Sequence, residues 1–87
     1  MKKALIEKKI ISLLKKKGPF LKNEKKNLSG YNYIKNGHID SLNLMKFIFQ
    51  VEDIFKVKFS YKQISSTRFG IISGLANIIE KKINEKK

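Results

Sequence analysis

The sequence predicts an all-α fold, a small four-helix bundle with three longer helices, one short helix and a long loop before the second helix. Apolar residues recur at amphipathic-helix spacing in three segments, and no segment alternates apolar and polar residues as a half-buried strand does. The chain has 87 residues and no cysteine, so its fold must rest on one hydrophobic core. We expect a single domain over residues 1–83.

The first helix is predicted from Lys2 to about Lys17, with Gly18-Pro19 ending it. One face carries its apolar residues: Ile6, Ile10, Leu13 and Leu14. Lysines occupy the far side: Lys8, Lys9, Lys15 and Lys16. A basic amphipathic helix of this kind binds either a membrane surface or an anionic partner, or else it packs on a core. Its narrow apolar stripe without Trp or Phe favours core packing.

The segment from Gly18 to Ile39 shows no sustained helical or strand period. Its apolar anchors are Phe20, Leu21, Leu28, Tyr31, Tyr33 and Ile34. A loop of about twenty residues is uncommon in a compact domain and is usually functional or mobile. The pattern also accommodates a short helical turn within this loop.

The second helix is predicted from Ser41 to Phe55, with Asp40 as its N-cap. Its predicted core face contains Leu44, Phe47, Ile48, Val51, Ile54 and Phe55. Leu42, Met45 and Phe49 lie on nearly the opposite side, flanked by the acids Glu52 and Asp53. A bundle helix needs only one buried face, so the second stripe is predicted to be an exposed docking surface. The alternative is that the long loop folds over this stripe.

A short link, Lys56 to Ser60, is followed by a predicted third helix over Tyr61 to Ser65, with Ile64 pointing inward. The last helix is predicted from Thr67 to Ile83. Its apolar face contains Ile71, Ile72, Leu75, Ile78 and Ile79. Residues 84–87 are predicted to form a frayed basic tail. The start of the chain does not resemble a targeting segment, and no stretch reaches transmembrane length, so we expect a soluble, cytoplasmic protein.

Net charge is +13, which first indicates a partner such as nucleic acid or an acidic membrane surface. Nineteen of the twenty basic residues are nevertheless lysine, and arginine, present only as Arg68, is preferred for bidentate phosphate and guanine recognition. The charge is also uneven. From Asp40 to Phe55 the sum is −2, leaving +15 elsewhere. One acidic helix in a basic protein is not explained by nucleic-acid binding.

Ser41 is the residue at which covalent chemistry is expected. It has no plausible catalytic triad, because His38 is only three residues away and is interpreted as a surface loop residue. Glu52 and Asp53 are adjacent on a helix and point in different directions, so they cannot act as a catalytic dyad. No glycine-rich phosphate loop or thiolate metal cluster is present in the sequence. The remaining interpretation is that Ser41 is modified by another enzyme.

The order of features around Ser41 is similar to that of a known family. Asp40-Ser41-Leu42 follows a glycine-containing loop and opens the helix with the second apolar stripe; Glu52 follows on that stripe, and Phe55 closes the helix. With a short third helix and an apolar fourth, this order resembles the acyl carrier protein family, including the peptidyl and D-alanyl carrier proteins. The resemblance covers nearly the whole chain and is most specific from Gly37 to Ile79.

The resemblance implies that Ser41 carries 4′-phosphopantetheine, transferred from coenzyme A. The arm would supply the thiol that this chain lacks, and acyl or aminoacyl cargo would travel on it as a thioester. The protein would be a monomeric carrier rather than an enzyme. Its partners would be a phosphopantetheinyl transferase, a loading ligase and an acyltransferase or synthase. They would dock on a face containing Asp40, Leu42, Met45, Phe49, Glu52 and Asp53.

Two departures separate this chain from the carriers of fatty acid synthesis, which are usually strongly acidic. Asn43 and Lys46 stand where those carriers commonly have acids. The segment from Phe59 to Phe69 looks more like the freestanding aminoacyl and peptidyl carriers, in which a phenylalanine opens the fourth helix. The alternative from another class is a small basic helical protein that binds nucleic acid or an anionic membrane surface, without specific nucleic-acid recognition.

Overall fold

In the computed structural model, which describes residues 2–18 and 28–85, three long helices and one short helix form an all-α bundle. The helices are α1 (Lys3–Lys17), α2 (Ser41–Phe55), α3 (Tyr61–Ile64) and α4 (Ile72–Glu85). Two 3₁₀ turns, Leu28–Gly30 and Thr67–Gly70, precede α2 and α4. No strand occurs within the described ranges, where a single isolated bridge joins Asn32 and Ile71. The predicted fold class is confirmed.

The core lies between the apolar faces of the three long helices. Its helical members are Ile6, Ile10 and Leu14 of α1, Phe47, Ile48, Val51 and Phe55 of α2, and Ile72, Leu75, Ala76 and Ile79 of α4. Among the described elements, α1 and α4 pair most extensively. Full burial of one large aliphatic or aromatic side chain contributes roughly 1.5–3 kcal/mol, so this shared core is the main stabilising term.

The first helix has the buried face that its apolar spacing predicts. Leu13 is partly buried beside the fully buried α1 residues, and the predicted far-side lysines are exposed. The predicted anchors Tyr31 and Tyr33 of the following segment are also buried, whereas Ile34 is 39% exposed. Phe20 and Leu21, two other predicted anchors, lie outside the described residues.

The second helix begins and ends at the predicted residues. Asp40 caps it, since its carboxylate accepts a hydrogen bond from the Asn43 backbone N–H at 2.8 Å. At the other end Lys56 adopts the left-handed region, with φ of 56°, which stops the helix. The predicted core face is wrong at Ile54, which is 42% exposed. This residue lies at the edge of the apolar sector of the helix, away from the centre of the buried face.

The fourth helix starts later than predicted. Thr67–Gly70 is a 3₁₀ turn, Ile71 is extended, and α4 begins only at Ile72. The loop before α2 causes this break, because Tyr33 N–H donates to the Gly70 carbonyl at 2.9 Å and Ile72 N–H donates to the Tyr31 carbonyl at 3.1 Å. These backbone bonds replace the helical ones that a continuous helix would make.

The buried face and the C-terminal end of α4 also differ from the prediction. The predicted face is buried at Ile72, Leu75 and Ile79, while Ile71 and Ile78 are half-buried. At the far end α4 continues to Glu85, so the first two residues of the predicted frayed tail are helical. The last two residues of that tail lie outside the described part of the chain.

Gly74 permits the close approach of α4 to the preceding 3₁₀ turn. A Cβ atom at this position would collide with the backbone carbonyl oxygen of Arg68. Because a backbone atom cannot rotate away as a side chain can, only glycine fits here without moving the turn.

We predict that Gly74→Ala lowers the free energy of unfolding by about 1–3 kcal/mol, the usual cost of overpacking. This loss would exceed the gain of up to about 1 kcal/mol that alanine brings to a helix interior. Urea denaturation measures the effect. Gly30→Ala is the matched control, because no atom lies within 4 Å of its added Cβ. Gly74→Ala as stable as the control would contradict the close approach.

Candidate functional site

The segment that leads to Ser41 is anchored by the buried side chain of Tyr33. Its hydroxyl donates a hydrogen bond to the Phe69 carbonyl at 2.5 Å, and its ring meets Phe47 edge-on at a centroid distance of 5.2 Å. Burial raises the pKa of the Tyr33 phenol, because the charged phenolate is disfavoured away from water. The group therefore remains a protonated donor to that carbonyl.

His38 ties the same segment to α1. Its Nε2 lies 2.8 Å from the Leu14 carbonyl oxygen, and its Nδ1 lies 3.0 Å from the Tyr31 hydroxyl. A carbonyl oxygen only accepts, so Nε2 must carry a proton, and in the neutral ring Nδ1 accepts from the Tyr31 O–H. His38 lies in the loop, as predicted, but it is half-buried, and its ring joins the loop to α1.

A tight turn brings the chain from Tyr33 back to His38. Asn32 Oδ1 accepts from the Lys35 N–H at 2.8 Å, and Gly37 adopts the left-handed region with φ of 70°. The turn closes where the His38 N–H donates to the Tyr33 carbonyl at 3.0 Å. Non-glycine residues adopt such a φ at a cost, which explains the glycine in the motif. The chain is thus held in place up to the buried Ile39.

Ser41 is the first residue of α2, and its side chain is exposed. It makes no hydrogen bond to another described residue, so its hydroxyl is open to an incoming group. The neighbouring Asp40 carboxylate satisfies one of the free N–H groups at the start of α2. The other free N–H groups and the positive end of the helix dipole favour an anion beside Ser41.

An exposed row of apolar side chains runs along α2 and contains Leu42, Met45 and Phe49. We call it the apolar strip. The exposed fractions of these three side chains are 70%, 50% and 60%, on the side of the helix away from Phe47, Ile48 and the rest of its buried face. The alternative arrangement, in which the preceding loop buries these side chains, is not found in the described residues. The two-faced reading of α2 is therefore confirmed.

The three acids near the apolar strip have different surroundings. Asp40 caps α2, and Glu52 is half-buried, with its carboxylate accepting from the Phe59 N–H at 2.9 Å. Glu52 thus fixes the link that follows α2. Asp53 lies 3.7 Å from Lys56 in a highly exposed pair. Exposed pairs contribute little stability, so Asp53 is the acid most available to a partner.

A shallow cleft of about 410 Å³ lies between the anchored loop, α2 and α3. Its apolar lining comes from Ile34, Leu44 and Ile64. Leu44 lies one helical turn after Ser41. The predicted inward position of Ile64 on the third helix agrees with its partial burial against the core.

Comparisons of this chain with protein families, with curated proteins and with solved structures find no match. None of the described helices is long and apolar enough to cross a membrane. In the described ranges no three His, Asp or Glu side chains lie together in a way that would hold a metal ion. The site consists of an exposed serine, a helix start, an apolar strip and a shallow cleft.

Phe47 on the buried face of α2 and Phe49 on its exposed face form a matched pair for testing which face stabilises the fold. Phe47→Ala should lower the free energy of unfolding by about 3–5 kcal/mol, as is typical of buried phenylalanine. Phe49→Ala should change it by less than about 1 kcal/mol, because 60% of the Phe49 side chain is already exposed. Urea denaturation of both variants checks this. Equal losses would mean that Phe49 belongs to the core.

Proposed function

We propose that the protein is an acyl carrier protein whose Ser41 bears a 4′-phosphopantetheine arm. The observation that carries this proposal is the exposed Ser41 hydroxyl at the first position of α2, directly after the capping Asp40. The resemblance in residue order from Gly37 to Ile79 supports the same assignment. The chain itself has no cysteine, and the arm's terminal thiol would hold cargo as a thioester.

The surroundings of Ser41 fit a phosphodiester attachment. An exposed hydroxyl is accessible to a transferase, and the start of α2 offers backbone N–H groups and a positive dipole end to the phosphate. The hydrogen bonds of Tyr33 and His38 to distant carbonyls hold the preceding segment. A serine on a well-held segment loses little conformational freedom when a partner enzyme binds it.

The apolar strip fits the docking of a transferase, a loading ligase and an acyltransferase or synthase. Met45 lies in the middle of it, and methionine adapts to several partner surfaces. Lys46 is exposed beside the strip, and Glu52 is engaged with the Phe59 backbone. Partners should therefore recognise this face mainly through apolar contacts, with Asp40 and Asp53 adding charge.

The shallow cleft beside α2 fits a role in sheltering cargo. Its apolar lining begins one turn from Ser41, and its volume of about 410 Å³ lies within the usual range for small-molecule sites. Acyl and aminoacyl cargo are both compatible with the proposal. A specialised carrier served by a dedicated ligase agrees best with the basic surface and with the likeness of the Phe59–Phe69 segment to freestanding carriers.

We predict that coenzyme A and a broad-specificity phosphopantetheinyl transferase add the mass of one phosphopantetheine to the protein. Ser41→Ala should abolish the addition, because the accepting hydroxyl is gone. Ser12→Ala, which removes an exposed serine from α1, should leave it unchanged. Intact-mass spectrometry distinguishes the three proteins.

Two outcomes would refute the carrier assignment. One is labelling of Ser41→Ala to the same extent as the parent protein. The other is no labelling of the parent under conditions in which the transferase modifies an established carrier in the same tube. Circular dichroism of Ser41→Ala checks that loss of labelling does not reflect loss of the helical fold.

The rival proposal is a nucleic-acid-binding protein, favoured by the exposed lysines of α1. We predict that binding to DNA or RNA is non-specific and disappears near physiological salt, because lysines contacting phosphates act through counterion release. Fluorescence anisotropy with two unrelated oligonucleotides over a salt series measures this. Tight, sequence-selective binding at that salt would favour the rival instead.

A further inference from the structure

A second groove, of about 480 Å³, lies between α3, the second 3₁₀ turn and α4. Three cationic side chains line it, one from each element: Lys62, Arg68 and Lys81. We call it the basic groove. It is distinct from the apolar strip, and Ser41 is not among its lining residues. It contains Arg68, the only arginine of the chain.

None of the three cations of the basic groove forms an ion pair with an acid of the described residues. The two ion pairs of the described residues, Lys3–Glu7 and Asp53–Lys56, involve none of its cations. No acid is among the described residues that line it. Elsewhere on the surface Asp53 partly offsets Lys56, but the three cations here share one concave surface whose lining includes no acid.

The neutral side chains of the basic groove also favour a ligand that accepts hydrogen bonds. The Ser60 hydroxyl oxygen accepts from the Gln63 N–H at 3.2 Å, and the Ser66 hydroxyl oxygen accepts from the Arg68 N–H at 3.2 Å. These bonds occupy oxygen lone pairs and leave the hydroxyl protons to donate. The Asn77 amide adds further donors. A ligand rich in carboxylate oxygens would satisfy both the charge and the donors.

The shape of the basic groove favours a protein partner over a small ligand. Small-molecule sites usually bury 70–90% of the ligand. Here Lys62, Arg68 and Lys81 are all exposed, so the groove is an open surface. Long cationic side chains on an open surface suit an extended segment that supplies several carboxylates along its length.

We propose that the basic groove binds an acidic segment, rich in Asp and Glu, of a partner protein. This inference does not depend on the proposed function, because it involves neither Ser41 nor the apolar strip. The overall charge of +13 would speed the encounter with such a partner, and the groove would provide its place of binding. Any basic protein attracts anions, so the test must separate a site from general attraction.

The test uses a capped hexaglutamate peptide as the probe and two triple variants of equal charge. The groove variant is Lys62→Gln, Arg68→Gln and Lys81→Gln, and the control variant is Lys8→Gln, Lys9→Gln and Lys15→Gln on the exposed face of α1. Each lowers the net charge from +13 to +10. Two-dimensional ¹H–¹⁵N NMR titrations near physiological salt give both the affinity and the residues that respond.

We expect the peptide to shift the amide signals of Lys62, Arg68 and Lys81 and their neighbours. The groove variant should bind about tenfold more weakly, in line with the loss of three exposed charge contacts, and the control should bind within about twofold of the parent. Equal weakening in both variants, or shifts spread evenly over α1, would overturn the proposal. The proposal would also be overturned if pyrophosphate or an oligonucleotide bound at the same residues more tightly than the hexaglutamate peptide.

Discussion

The hydrogen bonds from Tyr33 and His38 to two distant carbonyls are the constraint on which the rest of the structure depends. His38 reaches the carbonyl oxygen of Leu14 in the last turn of α1, which ends at Lys17. Tyr33 satisfies the carbonyl of Phe69 in the 3₁₀ turn. Leaving either acceptor buried and unpaired would cost about 1–3 kcal/mol. One loop thus completes the end of α1 and the approach to α4.

The same anchoring determines where the neighbouring helices begin. The backbone bonds of Tyr31 and Tyr33 to Ile72 and Gly70 interrupt the helical pattern, which delays α4. The turn at Gly37 then brings the chain to Asp40, whose carboxylate caps α2. The segment before Ser41 has no helical or strand period, yet its hydrogen bonds hold it to α1 and to the start of α4. Ser41 follows directly after this segment.

The helices could be predicted from sequence because their signals are local. Apolar spacing identifies the buried faces of α1 and α2, and the capping Asp40 marks the start of α2 at the observed residue. The errors come from contacts between residues far apart in the chain. No local pattern indicates that His38 bonds to Leu14, 24 positions earlier, or that Tyr33 reaches Phe69, 36 positions later. The prediction for Ile54 is wrong because periodicity gives the direction of a side chain on its helix but not the element that lies opposite it.

The basic groove and the apolar strip share no residue, and their separation has a physical consequence. The apolar strip gives affinity through desolvation of apolar area, which ionic screening does not weaken. The cations of the basic groove act at longer range and are screened within about 8 Å at physiological salt. Salt should therefore weaken encounters at the groove more than contacts at the strip. A partner that engages both surfaces would be attracted by the first and held by the second.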